Sequence, residues 1–224
     1  MGFILNIETA TKNCSVSVAE DTEVLSLREL ATEGYAHAEK LHVFIDDALK
    51  EAGIDYRDLS AVAVSKGPGS YTGLRIGVSA AKGLCMALDI PLISVGTLEI
   101  LAFKLRNAEG VIIPMLDARR MEVYSGIFDE EHRLIRPVRA EIITEESFSE
   151  LGLDIPINIV GDCQWKLKPV LNDEQFIYHD TIVYPSANEM AYLSFDKFKA
   201  RQFEDVAYFE PFYLKDFIAG GKSS

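Results

Sequence analysis

Apolar residues recur along this chain in two rhythms, one of period two and one of period 3.6. Residues 3–8, 14–19 and 23–30 are short β-favouring runs separated by the polar turns Thr9-Ala10-Thr11-Lys12-Asn13 and Glu20-Asp21-Thr22, so they predict a three-stranded antiparallel meander. From Ala36 the period lengthens: His37, Leu41, Phe44, Ile45, Ala48 and Leu49 return at helical spacing, and Gly53 stands where a helix C-terminus favours glycine. Residues 59–65 are apolar almost throughout, as a strand covered on both faces must be. After Gly67-Pro68-Gly69-Ser70 the pattern predicts a helix to about Leu88, a strand at 92–95 and a helix at 97–105. The order is βββαβαβα.

That order begins again at residues 111–117, an apolar strand ending in Asp117 as the first strand ends in Glu8. Strands at 121–128 and, more weakly, 134–140 follow, then helical stretches at 145–151 and 186–199 with a strand at 157–160 between them. The reading is an α/β protein of two related units, each a mixed sheet of order βββαβα. The polar loop Arg106-Asn107-Ala108-Glu109-Gly110 marks the boundary, giving a first lobe at 1–106 that carries the glycine-rich helix and a second at 107–224, whose tail packs back on the first. Two such units side by side form a cleft, and Glu8 and Asp117 are expected to face each other across it.

Composition sharpens this. A chain of 224 residues, 48% hydrophobic and 10% aromatic, buries roughly 70–75% of its unfolded surface, which excludes disorder and a disulfide-stapled miniprotein. Its 22 basic and 35 acidic residues leave a net charge of −13, which repels polyanions, so autonomous nucleic-acid binding is not expected. The charge is uneven: residues 59–88 contain no acid, only the cations Lys66, Arg75 and Lys82. Cys14, Cys85 and Cys163 are widely spaced without a C-x-x-C pair and read as free core thiols of a reducing cytosol. The opening Met1-Gly2-Phe3-Ile4-Leu5-Asn6 lacks a basic flank and a long apolar run, and Asn6 stands where myristoylation wants Ser or Thr. A cytoplasmic protein without a membrane span is expected.

Five of the fifteen glycines, Gly67, Gly69, Gly73, Gly77 and Gly83, fall in the segment that follows a buried strand and opens a helix. Phosphate cradling is one reason for such density. The spacing matches neither familiar form: Thr72 stands where a dinucleotide fingerprint needs its third glycine, and no Gly-Lys-Ser/Thr occurs. The other reason is close approach. Gly73, Gly77, Ala80, Ala81 and Leu84 share one helix face almost bare of side chain, against which another backbone can pack, within this chain or from a partner.

The chain carries none of the familiar catalytic motifs. His37 and His42 lie five residues apart, about 140° around a helix, and share no face. No G-x-S-x-G elbow is present and no cysteine stands in a nucleophile context.

The run Lys66-Gly67-Pro68-Gly69-Ser70-Tyr71-Thr72-Gly73-Leu74-Arg75-Ile76-Gly77 resembles the signature of the bacterial TsaB (YeaZ) family of tRNA threonylcarbamoyladenosine synthesis. Ile7-Glu8-Thr9-Ala10-Thr11, Cys14-Ser15-Val16, Asp117-Ala118-Arg119, Glu122-Val123-Tyr124 and Pro211-Phe212-Tyr213-Leu214 agree in order. The resemblance implies an actin-like, sugar-kinase-like (ribonuclease-H-like) pair of lobes. It implies a non-catalytic relative of TsaD that forms a heterodimer with it, is joined by TsaE, and works with threonylcarbamoyl-adenylate supplied by TsaC. It further implies a homodimer when alone, tRNA contact only through the complex, and no intrinsic cofactor, any ATP or ADP lying at the complex interface. The catalytic relative carries two metal-binding histidines at i, i+4. Here His37 matches the first and Leu41 replaces the second, so neither a metal site nor a catalytic residue is expected. The family usually opens with Asp where this chain has Glu8. Expected partner-binding residues are His37, Leu41, Ile45, Gly73, Arg75, Ile76, Gly77, Ala80, Ala81 and Leu84; expected nucleotide-facing residues are Glu8, Thr9, Thr11 and Asp117. The alternative is a nucleotide hydrolase or glycoprotease-like peptidase acting in its own cleft.

Overall fold

The computed structural model describes residues 2–32, 37–152 and 155–215. The first half runs β1 (Phe3–Glu8), β2 (Asn13–Glu20), β3 (Glu23–Ala31), α1 (His37–Ala52), β4 (Leu59–Ser65), α2 (Tyr71–Leu88), β5 (Leu92–Val95) and α3 (Thr97–Phe103). Ala36, where the periodicity starts the first helix, lies outside the described residues. The second half runs β6 (Val111–Asp117), β7 (Glu122–Phe128), β8 (Leu134–Ile142), β9 (Ile157–Gly161), α4 (Gln164–Leu167), β10 (Phe176–Tyr178) and α5 (Ala187–Lys199).

The two halves build two five-stranded sheets, ordered β3-β2-β1-β4-β5 and β8-β7-β6-β9-β10. In each, the first three strands form an antiparallel meander, the fourth pairs parallel to the first and the fifth parallel to the fourth. This duplicated mixed sheet is the actin-like, sugar-kinase-like architecture. The copies differ in their helices. Residues 145–151 do not form the expected helix: they make successive turns ending in a 3₁₀ turn at Ser149–Leu151. Ser147 Oγ accepts the Thr144 N–H, and Phe148 takes a left-handed φ of +71°, so side chain and backbone both leave the helical path. The four-residue α4 and three-residue β10 are too short to write a period into the sequence.

Each half lends a helix to the other. Leu98, Leu101 and Ala102 of α3 pack with Ile112, Leu116, Phe128 and Val160 of the second sheet. Ala187 and Met190 of α5 pack with Ile4, Ala61, Ala63 and Ile93 of the first. The polar residues that interrupt β1 are satisfied by this arrangement: Asn6 donates to Ser17 Oγ and accepts from Ser194 Oγ on α5. After α5 the chain straps the first lobe. Glu204 bridges to Leu92, Val206 and Phe209 join its core, and Lys82 Nζ donates to the carbonyls of Ala207 and Phe209.

Candidate functional site

The ends of β1 and β4 meet under the glycine segment. Burial of Glu8 leaves its Oε1 accepting the Ala10 N–H at 2.5 Å, while Oε2 has no hydrogen-bond partner. Loss of water pushes the Glu8 carboxyl up to about 7, a rise that the Ala10 N–H, the Ser65 hydroxyl and the positive charge of Lys104 only partly oppose. The peptide Gly67-Pro68 is cis, and Ser70 caps α2 by accepting the Gly73 N–H. The glycines let this turn press onto the Thr9–Thr11 loop. A Cβ on Gly69 would lie 2.3 Å from Ala10 O, one on Gly73 2.1 Å from Thr9 O, and one on Gly77 2.2 Å from Thr9 Oγ1. Ser70 N donates to Ala10 O at 2.7 Å, and Thr9 Oγ1 donates to Gly73 O at 2.8 Å. His37 completes the clamp, its Nε2–H donating to Thr11 O at 2.7 Å, and its burial lowers its basicity.

This geometry corrects several expectations. Glu8, Thr9 and Thr11 do not face a nucleotide: all three are buried beneath the chain's own glycine turn. Asp117 remains exposed at the second lobe, but its carboxylate is engaged by the buried Lys166, which also donates to the carbonyls of Arg120 and Glu122. His37, Leu41, Ile45, Gly73, Gly77 and Ala81 do not face a partner either, because they turn into the core or onto Thr9. The close approach served by Gly73 and Gly77 is therefore within one chain.

The outward stripe of the same two helices is different. Arg75, Ile76, Ala80 and Leu84, all expected at a partner surface, line a groove of about 630 Å³ together with Ala38, His42, Ser79 and Gly83. Nothing lies within 4 Å of where a Cβ on Gly83 would stand, and Met86 at the end of the stripe is 74% exposed. At 100° per residue, positions 76, 79, 80, 83 and 84 sweep one side of α2 while 74, 78, 81 and 85 sweep the core side, with Gly73 and Gly77 at their border. The sequence reading merged the border and the groove into one face and missed Ala38, His42, Ser79 and Gly83. Drawing the stripe further round α2 would have found Ser79 and Gly83; Ala38 and His42 lie on α1, and only the packing of the two helices brings them in. A second cavity, of about 480 Å³, lies between the β2–β3 turn and helices α3 and α5, lined by Thr22, Phe103, Lys104, Arg106, Glu189 and Tyr192 among others.

Residues 31–208 match the family model described as TsaD, tRNA N6-adenosine threonylcarbamoyltransferase. The tRNA threonylcarbamoyladenosine biosynthesis protein TsaB of Bacillus subtilis is 31% identical over 220 residues, 95% of this chain and 93% of its own length. The chain belongs to the TsaB (YeaZ) family. The Escherichia coli protein of the same name is 30% identical across 98% of this chain and 97% of its own. A crystal structure from Pseudomonas aeruginosa, of a protein described as similar to peptidase YeaZ, superposes with a TM-score of 0.82 at 24% identity, covering 96% of this chain and all of that one; it shares the fold. Among the described residues no helix is long and apolar enough to cross a membrane, and no group of three or more His, Cys, Asp or Glu is placed to hold a metal ion.

Proposed function

We propose that this chain serves tRNA threonylcarbamoyladenosine biosynthesis as a non-catalytic, cytoplasmic subunit that docks on TsaD through the α1/α2 groove. The groove carries the reading: Ala38 is exposed and Ile76, Ala80 and Leu84 are half-exposed, so apolar surface interspersed with the small residues Ser79 and Gly83 faces solvent on helices whose opposite faces are filled by the core. The relatives' shared name supplies the process. Small residues allow an opposing helix to approach closely, and Arg75 and His42 at the margins supply polar contacts that fix its register. A second copy of the chain fills the groove when TsaD is absent, and TsaE joins the assembled pair.

The chemistry of the chain supports a role without catalysis of its own. All three thiols are buried, and desolvation holds Cys14 and Cys85 up at about 11, where almost no thiolate exists at neutral pH. The glycine turn fills the space over Glu8 and Thr9, which supports a place for ATP or ADP at the interface of the complex and not within this chain. The test is association of purified chain with TsaD by gel filtration. Wild type forms a heterodimer, and Ile76→Asp, which places a charge in the groove, abolishes it while the isolated variant stays folded. Association that survives Ile76→Asp refutes the docking site, and ATP turnover or peptide cleavage by the isolated chain refutes the non-catalytic role.

A further inference from the structure

The acid-free segment at 59–88 is only partly absorbed by the groove. At its start, the last described residues of the tail build a second surface that mixes cations with aromatic rings. Phe212 N donates to Lys66 O at 2.7 Å, which pins the tail beside the glycine turn. Tyr213 then lies 5.0 Å from Tyr71 at 39° between rings, and the Arg75 guanidinium stands 4.5 Å over the Tyr71 ring. Two residues on, Lys215 crosses to the second lobe, where it pairs with Glu122 and donates to Ala118 O at 3.4 Å.

That crossing brings the surface to the turn between β6 and β7, whose tip is Arg119-Arg120. Both arginines are exposed, and both take left-handed backbone conformations, φ +73° and +52°, where glycine is the usual occupant. Ala118 N donates to Glu122 O and Glu122 N to Arg119 O, so the turn is held closed by its own backbone. Of the acids around it, Asp117 is engaged by Lys166 and Glu122 by Lys215, Asp162 accepts the Asp117 N–H, and Glu210 lies beside Tyr213. In a chain of net charge −13, the rim from Tyr71 through Tyr213 to Arg120 thus presents the exposed side chains of Arg119 and Arg120 beside Arg75 and the paired Lys215, flanked by Phe212 and Tyr213, whose rings reach solvent.

We infer that this rim contacts the phosphodiester backbone of RNA, with Arg119 and Arg120 neutralising phosphates and Phe212 and Tyr213 offering ring faces to unpaired bases. The inference rests on the docking reading above, since two arginines cannot overcome the repulsion of the isolated chain, and a partner must supply the remaining contacts. The probe is tRNA with an adenosine beside the anticodon, titrated against the heterodimer with TsaD over a range of salt. Arg119→Ala/Arg120→Ala weakens binding about tenfold at 0.15 M salt and makes the log–log salt slope shallower by about 1.5, as expected for two phosphate contacts. Lys50→Ala/Arg57→Ala removes the same charge from the opposite end of the first lobe and leaves affinity within about twofold. Equal losses in the two pairs, or none in the first, overturn the rim. So does loss of TsaD association by the Arg119/Arg120 variant, which would make the rim a protein interface. A wild-type chain that fails to join TsaD refutes the docking reading instead.

Discussion

Adding a single methyl group at Gly73 tests the clamp on the Thr9–Thr11 loop. The Cβ of Gly73→Ala would lie 2.1 Å from Thr9 O and 3.3 Å from the His37 ring, more than an ångström inside the ~3.3 Å at which carbon and carbonyl oxygen normally meet. Neither side yields freely, because Thr9 is fully buried and its hydroxyl donates to Gly73 O. Overpacking of this kind costs about 1–3 kcal/mol, and disturbing the Thr9 hydrogen bond adds roughly 0.5–1.5. Better helix propensity returns up to about 1 kcal/mol. The net loss of about 1–3 kcal/mol lowers Tm by roughly 3–10 °C in a chain this size. Gly83→Ala is the matched control. Its Cβ meets nothing within 4 Å, so the propensity gain alone remains and Tm rises by about 2–4 °C. Thermal unfolding of the isolated variants, at two concentrations to separate any dimer contribution, reads both. Gly73→Ala melting at or above wild type, or the two variants falling together, refutes the assignment of Gly73 to close approach within the chain.

Further tests follow from buried charge and from the exchanged helices. Because the Glu8 carboxyl stands at about 7 in the fold against 4.5 when exposed, the folded state holds the extra proton between those values. Stability therefore falls as pH rises from about 4.5 to 7, by roughly 3 kcal/mol, and is flat above; denaturant unfolding of Glu8→Gln should lose that slope, and a slope equal to wild type contradicts the shift. Lys166→Ala leaves the carbonyls of Arg120 and Glu122 without their buried donor, at a cost of about 2–4 kcal/mol in urea unfolding; a change under half of one shows those carbonyls reach water instead. A fragment of residues 1–106 lacks α5 against its sheet and should show no cooperative unfolding transition, whereas a cooperative transition would make the first lobe an independent folding unit.

Most of the framework was legible in the sequence because strands and long helices write their burial as a period. The meander, β4, α2 and the repeat beginning at Val111 all appear at their expected places. Short elements such as α4 and β10 write no period, and at residues 145–151 a local Ser147 hydrogen bond outcompetes the helix. The exchange of α3 and α5 is likewise invisible locally, since an amphipathic helix records that it is covered and not by which sheet. Arg75, Ile76, Ala80 and Leu84 do line a groove, while Gly73 and Gly77 were assigned to a partner because glycine spacing reports close approach without naming what approaches. Glu8 was misjudged for a similar reason: a carboxylate at a strand end has the same pattern whether it faces a cleft or lies under a turn.

The groove between α1 and α2 is the docking site proposed for TsaD, and Gly83→Trp addresses it with least disturbance, since the position is open in the isolated chain. The measurement is threonylcarbamoylation of tRNA in a mixture of this chain with TsaC, TsaD and TsaE, alongside the melting temperature of the variant. The groove reading predicts a variant that melts within a few degrees of wild type, fails to pair with TsaD and supports no modification above the mixture lacking the chain. Full modification by a folded Gly83→Trp protein would contradict it.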